Sequence, residues 1–388
     1  MKKDTSKIKK GILFFTIITS LAILIYSLNI AVLNSTDFQR SGSLSLLLGY
    51  EPYAEFLNGN ENQIFIKSQA PNYLQTLYFL FIPFAIFPEK VANFLWGICN
   101  ISMLLSSTYI LSVIFEIRKF SKISLLLFIL LLGFPARNTL GNGQLSIFVM
   151  HFVLLGIFIN NKSIKLKSKI LSVFLFGLSY LKYSFAPAFA TFSFLYFGLK
   201  NFLITFLPSI LGIIIMGFLF KTTTSFIGPL KVSSITMSTS YGIGDLLSIL
   251  KILNSNRYLF IDLISSIFCI VVTFIFMWIC KDFDLKRLLP ITSLISLMFV
   301  NHLGYDYVFY LILLAFAFSK YSSRLEKIAI MTVWSIIGCG YWIMWKLNFN
   351  MSEIGLISFF FSLNFLLFII IYCKGNNRFK ETFHLISH

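Results

Sequence analysis

Charge is what this chain has least of. Only 12% of its 388 residues are charged, where a soluble domain carries about 25%, so roughly half of the usual solvating surface is missing. Carboxylates number 15, few enough to be considered one by one. The five cysteines (Cys99, Cys269, Cys280, Cys339 and Cys373) are scattered through apolar stretches without ligand spacing. They indicate neither a disulfide framework nor a metal site and read as core fillers. No soluble stretch is long enough for a nucleotide-binding domain, since one βαβ unit already needs about 30 residues. No small-residue cleavage site follows the first apolar run, which is also too long for a signal-peptide core, so it reads as a retained span. An internal repeat of the kind that marks many transporters is not evident.

What the chain does have is hydrophobicity: 57% of residues are hydrophobic and 18% are aromatic. Runs long enough to cross a bilayer core of about 30 Å recur from end to end. The clearest are Gly11–Leu33, Val91–Phe115, Phe202–Phe220, Tyr258–Cys280, Ile328–Trp345 and Ile354–Cys373. A single crossing segment satisfies all its own backbone polar groups only as a helix. The expected fold is therefore all-α: one polytopic integral membrane domain over residues 1–388, with roughly eleven to thirteen membrane segments.

The net charge of +17 invites a nucleic-acid reading, but its placement excludes one. Lysine and arginine concentrate in short connectors: Lys2–Lys10, Arg118–Lys122, Lys162–Lys169, Lys281–Arg287, Lys320–Lys327 and Lys374–Lys380. This is the positive-inside pattern, which assigns these connectors and both termini to the cytoplasm. A nucleic-acid binder gathers its cations on one face or tail instead.

Two outer loops follow from that orientation, residues 34–72 and 221–256. In the first, Asp37–Tyr53 has helical apolar spacing and ends at Gly49, predicting a short interfacial helix and then a turn. Between Tyr73 and Phe134, three apolar runs (73–88, 91–115 and 123–134) create a parity problem. If all three cross, the lysine-rich loop at 162–169 lands outside, so one of the short runs is expected to be re-entrant or broken.

The carboxylates expected outside are Asp37, Glu51, Glu55, Glu61, Asp245, Asp262, Asp306 and Glu353. Asp37 stands just beyond the first span, where bilayer and protein shield it, and is suited to act as a general base on a sugar hydroxyl. It is equally suited to N-cap the interfacial helix. Lys182 interrupts the apolar run Phe174–Phe189. An intramembrane cation of this kind fits a lipid phosphate, or else snorkels to the interface. Arg137 and Gln144 bracket Gly141-Asn142-Gly143, whose glycines permit close backbone approach while the flanking side chains bind phosphate or sugar hydroxyls. A plain turn explains those glycines as well. His302, Tyr305 and Asp306 form a polar-aromatic cluster at another outer helix end, resembling a sugar-binding edge. Asp282-Phe283-Asp284 imitates a metal-binding Asp-x-Asp, yet it lies among cations in a short inner loop and reads as solvated loop.

The order of these motifs carries a resemblance. A basic N-terminus and one span lead to Thr36-Asp37-Phe38, then to Leu48-Gly49-Tyr50-Glu51-Pro52-Tyr53 and Ala70-Pro71-Asn72-Tyr73-Leu74. Phe94-Leu95-Trp96, Gly141-Asn142-Gly143-Gln144 and Gly177-Leu178-Ser179-Tyr180-Leu181-Lys182 follow. The series resembles glycosyltransferase family 87, the polyprenol-phosphate-dependent, mannosyltransferase-like members of the GT-C superfamily, most closely over Asp37–Pro187. The chain departs from that pattern at Pro71-Asn72-Tyr73, where the family usually has Tyr-Pro-Pro, and at Tyr183, where a proline often follows the lysine. The resemblance implies an outward-facing site that moves a hexose, such as mannose, from a polyprenyl-phosphate donor to a glycolipid, glycan or polysaccharide acceptor. Asp37 would be the base of an inverting displacement, and Lys182 and Arg137 would hold the donor phosphate. Gln144, Tyr53, His302, Tyr305 and Asp306 would contact substrate. No cofactor is required and no motif demands a divalent metal; membrane lipids are the other expected partners, and nucleic acid is not one.

Two rival readings stand beside this one. A polysaccharide polymerase or ligase would carry a large late outer loop rich in Arg and His, which 221–256 lacks. A flippase for lipid-linked sugars would line a central path with charge, whereas here the polar residues crowd one side.

Overall fold

The computed structural model describes residues 2–59, 70–237, 244–253, 259–300, 302–340, 343 and 358–372. Among them the regular structure is entirely helical, and the molecule is an all-α polytopic membrane protein. Helix α1 spans Lys2–Asn34. Two short helices follow, α2 (Arg40–Leu47) and α3 (Pro52–Leu57), then α4 (Gln75–Ala85) and the long α5 (Glu89–Ile114). The chain continues through α6 (Phe120–Leu132), α7 (Phe134–Gly141), α8 (Ser146–Lys162) and α9 (Leu166–Gly177), which runs into a 3-10 turn at Leu178–Leu181. Next come α10 (Ala186–Phe197), α11 (Leu199–Ile204), α12 (Leu207–Phe220), α13 (Thr224–Met237), α14 (Leu246–Leu253), α15 (Leu259–Ile279) and α16 (Leu285–Phe299). A 3-10 turn at Gly304–Phe309 leads into α17 (Tyr310–Phe318), followed by α18 (Arg324–Ser335), a π turn at Ile336–Gly340 and α19 (Ser358–Tyr372).

Lys10–Asn34, Glu89–Ile114 and Leu199–Phe220 are each long and apolar enough to cross a membrane, and six shorter apolar helices accompany them. Their side chains are distributed inside out. On α1, Thr16, Ser20, Leu24, Ser27 and Ala31 face the protein, while Phe14, Phe15, Ile18, Leu21, Ile25 and Tyr26 are exposed. On α12, Ser209, Gly212 and Gly217 are buried and Ile210, Ile214 and Phe218 are exposed. Small residues let helix backbones approach closely, and large apolar residues turn outward only where the solvent is itself apolar. That distribution is a physical signature of lipid.

The run 123–134 forms α6 and ends at Gly133, where α7 departs at 77°; this is the bent pair of the stretch expected to hold a re-entrant or broken run. Trp334 packs against Gly133 from α18 and its Nε1 donates to Ile129 O at 3.2 Å, fixing the elbow. The centre of the bundle is α16, buried from Arg287 through Phe299, with α17 beside it. Asp284 caps α16 by accepting from Arg287 N at 3.1 Å, so the Asp-x-Asp look-alike serves a helix start. Arg287 also pairs with Glu326 at 2.6 Å and donates to Ile370 O at 2.7 Å. Glu326 in turn forms a capping box with Ser323, the role its Ser-x-x-Glu spacing encodes. Arg287 in the basic connector 281–287 thus pairs with a carboxylate of the basic connector 320–327.

The helix expected within 37–53 is present as α2, followed by Gly49 at φ 82. Its buried face is Ser41, Gly42, Ser43 and Ser45. Ser43 Oγ donates to Tyr78 O at 2.7 Å, and Gly42 sits against the Tyr78 ring. Leu47 and Leu48 are 43% and 56% exposed, the orientation of a helix that offers its leucines to lipid. Asp37 does not cap it: the N-cap is Gln39, and no side-chain cap bond forms. The chain needs two further residues after Asp37 to enter the helix, so its carboxylate is left for other work.

Candidate functional site

The site is assembled around one turn. Gly143 adopts φ 67, a left-handed conformation that a side chain resists. A Cβ there would stand 2.7 Å from Ser35 Oγ and 3.1 Å from Phe38 Cβ. Without that Cβ, the Gly-Asn-Gly turn docks onto the segment leaving α1. Asp37 N donates to Asn142 O at 3.2 Å, Ser35 Oγ donates to Asn142 O at 2.9 Å, and Trp96 Nε1 donates to Gly143 O at 2.7 Å. Phe38 stacks on Trp96 with centroids 5.4 Å apart and planes within 8°. The Asp37 backbone is thus tied to the turn by its own N–H, and its neighbours Ser35 and Phe38 are tied to the turn and to Trp96.

Its carboxylate accepts a hydrogen bond from the Gln144 side chain and feels the charges of Lys182 and Asp306. Burial lifts the Asp37 carboxyl above the usual carboxylate value; the Gln144 bond and the Lys182 charge pull it part of the way back. Gln144 is buried and its Oε1 has no hydrogen-bond partner among the described residues.

Lys182 follows the 3-10 turn that ends α9 and is only 7% exposed. It does not snorkel. Its Nζ pairs with Asp306 Oδ1, donates to Ser146 Oγ at 3.1 Å, and lies 4.9 Å from the Tyr305 ring centre. Ser146 Oγ itself bonds Asp306. His302 Nδ1 stands 3.1 Å from Asp306 Oδ2, its ring packs on Phe185 at 4.3 Å, and its backbone N–H donates to Asp245 at 3.4 Å. A cation, a carboxylate and an imidazole distant in sequence thus share one buried network, where low dielectric strengthens each attraction.

Asp37, Gln144, Lys182, His302, Tyr305 and Asp306 come together. Tyr53 does not join them. It is fully buried, its hydroxyl donates to Tyr73 O at 2.7 Å, and its ring packs on Gly228 and Tyr78. It stands behind Tyr73, which itself lies within electrostatic reach of Asp37 and Asp306. Arg137, on α7, is half-buried, and its Nε is enclosed without a hydrogen-bond partner among the described residues.

Tyr73, Ser146 and Asp245 were not singled out from the sequence for these positions. Tyr73 closes the Ala-Pro-Asn-Tyr motif, and Ser146 follows Gln144 by two residues, so adjacency was the available signal. Asp245 has a local one: it accepts from Ser248 N at 2.7 Å and Ser248 Oγ at 2.7 Å, the Asp-x-x-Ser spacing of a helix N-cap. Burial pushes its carboxyl up to about 6. Of the other carboxylates expected outside, Glu51 bonds Thr222 at 3.0 Å and also Thr224. Glu61 and Glu353, and the side chain of Asp262, lie outside the described residues. Among the described residues, no three His, Cys, Asp or Glu gather as a metal-binding set.

A family model described as glycosyltransferase family 87 matches residues 76–302, more than half of the chain. That stretch contains Arg137, Gln144, Ser146 and Lys182 and ends on His302; Asp37 precedes it, and Tyr305 and Asp306 follow it. No curated protein and no solved structure matches the chain.

Proposed function

The chain belongs to glycosyltransferase family 87, which makes it a membrane glycosyltransferase, and on that premise we propose that it takes a hexose from a polyprenyl-phosphate donor at the outer face. The observation that carries this reading is Asp37, raised by burial, bonded to Gln144 and within the field of Lys182. In the reaction, an acceptor hydroxyl gives its proton to the Asp37 carboxylate while its oxygen attacks the anomeric carbon from the face opposite the phosphate. The bond from that carbon to the phosphate oxygen breaks, the configuration inverts, and polyprenyl phosphate leaves as an anion. A base whose carboxyl sits above its ordinary value is the better proton acceptor near neutral pH.

Lys182 supplies the charge for the leaving group. Asp306 is its buried partner, and the donor phosphate completes the set as a second anion. Stabilisation of charge that develops in the transition state is the largest lever such a site has. Arg137, with its enclosed and unbonded Nε, is the second cation toward the phosphate. Gln144 Oε1, Tyr305 and His302 offer the polar and aromatic edges that suit sugar hydroxyls. The acceptor is a glycolipid, glycan or polysaccharide, with mannose the first sugar to try. This reading assigns no step to a metal or a cofactor.

Transfer of radiolabelled hexoses from polyprenyl phosphate to membrane lipids and glycans tests it, using the full chain in proteoliposomes. Asp37→Asn keeps size and the Gln144 contact but cannot take a proton, so transfer is expected to fall by about 10²–10⁴. Donor binding and melting temperature should hold. Wild-type kcat/KM should also decline as pH drops through the raised Asp37 value. Equal transfer by the variant would remove Asp37 as the base, and passage of intact lipid-linked sugar across the vesicle without transfer would replace the donor reading with translocation.

A further inference from the structure

A second charged site lies at the other end of the same helices. Helix α5 carries Trp96, on the Asp37 side, and ends at Ile114. At 1.5 Å per residue the eighteen or so residues between them span nearly 30 Å, one hydrocarbon thickness. Beyond that end, a cavity of about 350 Å³ opens between the connector 116–119, the start of α6 and the end of α17. Cations line it: Arg118, Lys119, Lys122 and Lys320, with Glu116 the sole carboxylate in the lining.

Glu116 is already taken. It pairs with Lys286 at 2.5 Å and Lys320 at 2.7 Å, and Tyr321 donates to it as well. Those hydrogen bonds hold its carboxyl down at about 2. Arg118, Lys119 and Lys122 have no ion-pair partner among the described residues; Lys122 reaches only the Phe318 carbonyl at 3.5 Å. Three uncompensated cations therefore converge on an open concavity at the membrane edge that the basic connectors assign to the cytoplasm. The residue after Lys119 is Phe120, a ring 64% exposed, and amphipathic rings at this level sit among headgroups and the first acyl carbons.

We propose that this cavity binds the phosphate of an anionic phospholipid headgroup, with Arg118, Lys119 and Lys122 as its ligands and Phe120 against the acyl chain. Basic pockets between helices on the cytoplasmic side are suited to such headgroups. The volume, about a dozen waters' share of liquid, accommodates a phosphodiester with part of its hydration shell. The Glu116 network keeps one carboxylate from neutralising the site.

Native mass spectrometry of the full chain tests this, with retention of dioleoylphosphatidylglycerol compared with dioleoylphosphatidylcholine. Wild type should retain the anionic lipid selectively. Arg118→Gln/Lys119→Gln/Lys122→Gln should weaken that retention about tenfold or more, and Lys162→Gln/Lys167→Gln, in another basic connector, should leave it unchanged. Glu116→Gln releases Lys286 and Lys320 and should tighten retention a few-fold, a gain that misfolding does not imitate. Equal retention by wild type and the triple variant would overturn the proposal, as would an equal loss in the control connector. Competition by free glycerol phosphate at the lipid's own concentration would also overturn it, in favour of a soluble phosphate as the ligand.

Discussion

The Asp37 end and the Glu116 end are built from the same ingredients, a carboxylate met by lysines, and behave as opposites. At the first, Lys182 and Asp306 are enclosed with Ser146 and His302. At the second, Glu116, Lys286 and Lys320 meet in the open. Removing one partner from a buried pair strands a charge in low dielectric, whereas water solvates an exposed group that loses its partner. Enclosure, more than distance, decides which pair matters.

The largest expected effect breaks the buried end. Lys182→Met takes the cation from a buried carboxylate that keeps only Ser146, His302 and a backbone N–H, and should cost about 3–5 kcal/mol of stability. Adding Asp306→Asn should recover most of that stability but not sugar transfer. A thermal scan with both variants checks it, and a single variant as stable as wild type would show that Asp306 is compensated elsewhere. Next comes the turn beneath Asp37. Gly143→Ala opposes φ 67 and drives a Cβ toward Ser35 and Phe38, so about 1–3 kcal/mol of strain is expected. Since displacement of a catalytic group by about 1 Å can lower rate about 10²-fold, transfer should suffer more than melting temperature does.

Asp245 sharpens the comparison from within the buried end. Its folded value of about 6 lies above the ordinary 3.8, so the folded state binds the proton more tightly. Stability should therefore rise as pH falls from 7 through 6 and level off below 4, a swing of up to about 3 kcal/mol. Asp245→Asn, which keeps an acceptor for the cap, should be more stable than wild type at pH 7.5 and lose this pH response in thermal scans. Smallest is Lys286→Gln at the exposed end, which should leave the melting temperature within about one degree of wild type.

Much of this architecture could be read from the chain, for identifiable reasons. Lipid demands long apolar helices and expels cations to their ends, so composition and connector charge gave the all-α membrane class without any contact information. The Gly-Asn-Gly turn was legible because the left-handed backbone at Gly143 restricts the residue types that position accepts. The Lys182–Asp306 pair was not, since nothing local to either residue encodes a partner 124 positions away; Lys182 was read as an intramembrane cation and Asp306 with its neighbours His302 and Tyr305. The apolar spacing of 37–53 marked a helix, while which of its faces packs inward needed the neighbours: Ser41, Ser43 and Ser45 turn in, and Leu47 and Leu48 turn out. Tyr53 carried a motif position yet serves packing, a distinction that burial alone reveals.

The sequence separation of Lys182 and Asp306 also bears on how the protein is made. A ribosome adding about 5–20 residues per second needs roughly 6–25 s to travel from one to the other. Throughout that interval the lysine is already in the chain and its counter-ion does not exist. The nascent chain must keep Lys182 at the water boundary, or within the insertion machinery, until the segment bearing Asp306 arrives. Closure of this buried network is thus among the last events of biogenesis, and nascent chains cut before residue 306 should leave Lys182 open to water-soluble amine reagents that the finished protein excludes.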